Sequence, residues 1–145
     1  MTLTSIKASF GFMFSVLATW ISSIFGVHMG IMKILVIFMA IDYITGLIVA
    51  GVFKKSQKSK NGAIESRASL KGLFRKGEML LVVYIAVNLD ILMGTDYITV
   101  ASIYFFIANE GISLIENIGL TGVPMPSIII NAIEVLKKNE EKEIK

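Results

Sequence analysis

The sequence predicts an all-α fold: a polytopic integral membrane protein with about four transmembrane helices and a C-terminal amphipathic cytoplasmic helix. Three observations predict it. Of the 145 residues, 54% are hydrophobic and 17% charged, whereas soluble domains run near 45–50% apolar with glycine included and about 25% charged. Mean hydropathy is +0.74, and one domain of this length has too little interior to hide that excess from water. The apolar residues also fall into four stretches, with most of the basic residues between the second and the third. The same counts exclude whole classes of chemistry. There is no cysteine, which removes disulfide scaffolds, thiolate metal sites and cysteine nucleophiles. His28 is the single histidine, which removes histidine triads and multi-histidine zinc sites.

The first stretch, residues 10–27, holds 18 uncharged residues, within the range of about 17–25 that a spanning helix needs. Lys7 gives it the basic lead of a signal peptide. The run exceeds a usual apolar region of about 7–15 residues, however, and no Ala-x-Ala site precedes the next span, so an uncleaved helix is expected. Gly11, Ser15, Thr19, Ser22 and Gly26 form one helical stripe. Such a stripe lets two helices approach closely, or alternatively faces water in an oligomeric pore.

The second stretch, residues 31–53, places Asp42 near its centre and Lys33 near its start. A carboxylate there costs about 2.5–3.5 kcal/mol on insertion scales. Asp42, Gly46 and Ala50 repeat every four residues with Thr45 beside them, so the acid shares a face with small residues and points at protein or water. Residues 54–76 read as a basic loop: Lys54, Lys55, Lys58, Lys60, Arg67, Lys71, Arg75 and Lys76 against a lone Glu65, eight of 14 basic residues. Short loops rich in Lys and Arg stay in the cytoplasm, and this loop determines the topology. A nucleic-acid patch is not expected, since Phe74 is its one aromatic residue; anionic lipid is the better partner.

Residues 77–94 give the third and shortest span, which needs Gly77 and a snorkelling Glu78 to reach across. A helix packed in a water-soluble core is the competing interpretation. Residues 97–115 give the fourth span, with Glu110 as its one carboxylate, Asn109 and Ser113 close by, and Glu116 just past its end. Either mid-membrane acid serves as a neutral packing link or as part of a pore lining. Both termini are then cytoplasmic, and Lys33 snorkels to the outer headgroups. Gly119, Gly122, Pro124 and Pro126 end that helix. From Ser127 a helix with Ile128, Ile129, Ala132, Ile133 and Leu136 on one side forms the tail, which either packs as a surface helix or binds the inner leaflet or a partner. The chain divides into a membrane domain over 1–118 and a cytoplasmic tail over 119–145.

No catalytic constellation, cofactor motif or metal-ligand spacing is present, and catalysis is not expected. More specific are four motifs in order: Asp42-Tyr43-Ile44-Thr45-Gly46; Ser69-Leu70-Lys71-Gly72-Leu73; the run from Phe105 to Asn117, containing Ile-Ala-Asn-Glu-Gly-Ile-Ser; and Gly122-Val123-Pro124-Met125-Pro126. This order resembles the toxin-secretion and phage-lysis holin family, which includes clostridial toxin-export holins and lysis holins of phages of Gram-positive bacteria. The resemblance runs from about residue 31 to residue 138. It implies a non-enzymatic homo-oligomer in the bacterial cytoplasmic membrane that opens lesions for an endolysin or a large toxin. Two other classes compete: a small ion-coupled transporter or channel using Asp42 or Glu110, and a membrane adaptor acting through the basic loop or the tail.

Overall fold

Apolar seams spaced at three and four residues govern the long helices of the computed structural model, which describes residues 8, 11–12, 15–16, 19, 22–23, 26–58 and 63–143. Among these residues every regular element is helical and no strand occurs. From a 3-10 turn at Gly26–His28 the chain enters α1 (Met29–Ile48), which continues through a π turn at Val49–Phe53. Then come α2 (Ser66–Met93), α3 (Tyr97–Thr121) and α4 (Ser127–Glu143). Met29–Phe53 and Tyr97–Thr121, each 25 residues, are long and apolar enough to cross a membrane. At ~1.5 Å per residue each is about 37 Å long, against a hydrocarbon core of ~30 Å.

The predicted span over 10–27 lies mostly outside the described residues. Its described positions are helical, with the Ser15 hydroxyl donating to the Gly11 carbonyl and Thr19 to that of Ser15.

The remaining boundaries differ from expectation in one instructive respect. Charge density puts the end of the basic loop at residue 76, but α2 begins at Ser66 and runs 28 residues. Between Ser66 and Lys76 there is no proline, and Ala, Leu, Lys and Arg are strong helix formers. Arg67, Lys71, Arg75 and Lys76 therefore stand on a helix, whereas Lys54, Lys55 and Lys58 lie outside the helices. Likewise α3 continues past residue 115 to Thr121, where Gly122 at φ +87° takes up the left-handed C-terminal position.

The interior is built on α3, which packs against α1, α2 and α4. On α1 the buried residues Met32, Leu35, Met39 and Asp42 keep a 3-4 spacing, the geometry of a coiled-coil seam, and Val49 of the π turn follows seven residues on. Met32, Leu35 and Met39 meet Val83 and Val87 of α2 and Ile103, Phe106 and Ile107 of α3 in one apolar cluster. The opposite faces carry Ile34, Ile37, Ile41, Ile44 and Ile48 on α1 and Leu81, Val82, Ile85, Leu89 and Leu92 on α2, all exposed. This inverted surface is what lipid or another protein covers.

Turn chemistry closes both ends. Gly94, at φ +67°, ends α2. From the last turn of α2, the Asp90 carboxylate accepts from the Thr99 N–H (2.7 Å), the Ile98 N–H (3.2 Å) and the Thr95 hydroxyl (2.6 Å). An acid on one helix thus caps the next, satisfying N–H groups the helix cannot satisfy itself. At the other end α4 folds back antiparallel to α3. A Cβ at Gly111 would lie 2.9 Å from Ile133 Cδ1, so the glycine is what lets the tail helix seat.

Candidate functional site

Asp42, Lys76 and Glu110 each occupy the middle third of a long helix, and the bundle brings them together. The seam spacing of α1 points Asp42 inward, and the stripe Ile103, Phe106, Ile107, Glu110 points Glu110 toward it. The Lys76 ammonium donates to Asp42 Oδ2 at 2.8 Å and to Glu110 Oε2. Side-chain exposure is 6% for Asp42, 4% for Glu110 and 13% for Lys76. Asn117 completes the cluster: its Nδ2 donates to Asp42 Oδ1 at 2.9 Å and lies 3.2 Å from the Thr45 hydroxyl. The Thr45 hydroxyl itself donates to the Ile41 carbonyl at 2.9 Å. Gly46 faces the Asn117 amide, and a Cβ there would sit 3.7 Å from Nδ2, at ordinary contact distance.

One cation between two acids satisfies both, and the shared ammonium forces three helices into a single register. Such links are weak sources of stability, yet removing the shared ammonium strands both acids in a low dielectric.

Above the cluster opens a cavity of about 550 Å³. Its floor is Asp42, Lys76 and Glu110, and its walls include Lys58, Lys71, Arg75 and the hydroxyls of Ser56, Ser69 and Ser113. Lys58 reaches the Ser113 hydroxyl at 3.5 Å. Ile64, which also lines this space, packs on Gly51, where a Cβ would come within 2.9 Å of Ile64 Cδ1.

The residues singled out in the sequence fall into three groups. Asp42, Thr45, Gly46, Ala50, Asn109, Glu110 and Ser113 lie in the cluster or line the cavity. Glu116 is exposed and stands apart, as do Ser15, Thr19 and Ser22. Of the loop cations, Lys54 and Lys55 are exposed, Arg67 points outward on α2, and Lys60 lies outside the described residues. Lys76, grouped with the loop cations by composition, is instead the hub of the interior. Asn117 is the functional candidate that residue type alone does not isolate; its spacing of seven from Glu110 was the available signal. Among the described residues there is no grouping of three metal-ligating side chains.

Comparisons with known proteins point to one family. Residues 19–138 match the bacteriophage holin family. A protein of Halalkalibacterium halodurans is 37% identical over 134 residues, 88% of this chain and 93% of its own. One from the nagH 3′ region of Clostridium perfringens is 38% identical over 108 residues, 73% and 76% of the two chains. The probable holin of Bacillus phage phi105 is 32% identical over 113 residues, 77% and 78% of the two chains. No solved structure matches the chain. With most of its length matched, an all-helical fold and two helices able to cross a membrane, the chain belongs to the bacteriophage holin family, a family of non-enzymatic membrane proteins.

Proposed function

We propose that this protein is a homo-oligomeric pore former that permeabilises the bacterial cytoplasmic membrane and lets an endolysin or a large toxin pass. Four spans cross the membrane, over residues 10–27, α1, the apolar half of α2 and α3, with both termini and the basic loop on the cytoplasmic side. The observation that carries this reading is the charged cluster enclosed by three helices whose outer faces are apolar. A subunit of this kind is stable in lipid with its polar groups inward. In an assembly the same groups can be presented to a water-filled lesion, where their desolvation cost disappears. The membrane-facing Ile and Leu rows remain against lipid or a neighbouring subunit throughout.

The test is induced expression in a bacterial host, scored for release of a cytoplasmic enzyme and for entry of dyes graded by size. Sudden passage of whole proteins after a delay is the expected result; membrane-localised protein with no permeability change would overturn it. Asp42→Asn is expected to change the delay or the size of the assembly, because it removes one of the two charges held by Lys76. A second reading has its own observation: the cavity gives access to Asp42 and Glu110 from one side, as an ion-coupled transporter requires. Saturable, gradient-driven flux of one small solute, with protein retained, would favour it.

A further inference from the structure

We infer that the cavity over the ion cluster is a binding site for the phosphate-bearing headgroup of an anionic phospholipid. Lys71 and Arg75 stand one turn apart on the same face of α2 and both line the cavity. Like charges at this spacing repel and weaken a helix. Among the described residues neither is in an ion pair, because the two acids of the cavity floor are taken by Lys76. Lys58 adds a third cation, and Ser56, Ser69 and Ser113 line the same cavity with hydroxyls. Glu65, the acid of the cavity wall, is outnumbered by these cations. An anion with several acceptor oxygens relieves the repulsion and satisfies these donors together.

The neighbouring surface points to a lipid as the source of that anion. Leu70, Leu73 and Phe74 follow a three-and-four spacing on the adjacent face of α2 and are exposed, Phe74 by 72%. A headgroup seated on Lys71 and Arg75 would therefore leave its acyl chains beside an apolar stripe. Free phosphate gains nothing from that stripe. The site goes beyond the pore reading and requires only that this end of the bundle meets a membrane surface.

The experiment places the full chain in nanodiscs of phosphatidylcholine, with or without phosphatidylglycerol, and counts retained lipid by native mass spectrometry. One phosphatidylglycerol per chain is expected to remain bound preferentially. Lys71→Gln with Arg75→Gln is expected to weaken it about thirtyfold, because two basic groups no longer meet the anionic headgroup. Lys71→Arg with Arg75→Lys keeps both charges and is expected to retain the lipid, and helical circular dichroism checks that each variant is folded. Lys54→Gln with Lys55→Gln removes two cations outside the cavity and is expected to leave retention unchanged. Equal losses in the two Gln pairs would show diffuse surface attraction and overturn the site. Displacement of the lipid by millimolar inorganic phosphate would overturn the lipid assignment. Binding is read without any lesion, so failure of the permeability assay and failure here are separate results.

Discussion

Lys76 is a single residue with two obligations, and its removal is the sharpest probe of the interior. Lys76→Met leaves Asp42 and Glu110 facing each other without a counter-charge, which is expected to cost about 3–5 kcal/mol of stability. The triple variant Lys76→Met, Asp42→Asn, Glu110→Gln is expected to recover most of that loss, because no isolated charge remains. Thermal or denaturant unfolding in detergent measures both; equal stability of the single variant and the parent would show that the link contributes nothing. Asn117→Ala removes the donor to Asp42 Oδ1 and is expected to cost about 1–3 kcal/mol, read in the same assay. The acids were legible in the sequence because a carboxylate inside an apolar run announces itself. Their partner was not, since a lysine at the edge of a basic segment looks like every other lysine there until the helices are placed side by side.

The helices depend on a few contacts that can be tested one at a time. Asp90→Ala strips the cap from the start of α3 and is expected to destabilise that turn by about 1–2 kcal/mol, seen as faster amide exchange near Ile98 and Thr99. Gly111→Val drives a branched side chain into Ile133 and is expected to cost about 1–3 kcal/mol of α4 docking, read as faster proteolysis of the C-terminal segment. Ile133→Ala in the same chain is expected to restore protection by making room. Composition located α1 and α3 well, because long apolar runs need no further signal. It cuts α2 short because a dense run of charge resembles a loop, although positively charged residues are as comfortable on a helix as beyond it. The antiparallel return of α4 had no sequence signature apart from a glycine facing an isoleucine.

At the scale of the whole molecule the distribution of charge gives the expected orientation. The absence of native cysteine makes it easy to test. Asp96→Cys, in the turn between α2 and α3, is expected to react with an impermeant maleimide on intact cells. Gln57→Cys, in the basic loop, is expected to react after lysis alone. The opposite pattern would invert the topology. Among the described residues, two helices meet the length and composition needed for a span on their own. In α2, Lys76, Glu78 and Asp90 dilute the apolar run, yet two of the three are engaged by protein partners, Lys76 with the acids and Asp90 with α3. A hydropathy sum treats each ion as if it stood alone, so a span whose charges are neutralised by its neighbours is undervalued by sequence.

The shared ammonium also constrains how such a sequence can drift over generations. Losing Lys76 first passes through a stranded pair of acids, and losing one acid first still leaves the lysine a partner. The tolerable order of change therefore begins with an acid. Among relatives, an uncharged residue at the position of Lys76 is expected only where both acids have already gone, which aligning their sequences checks.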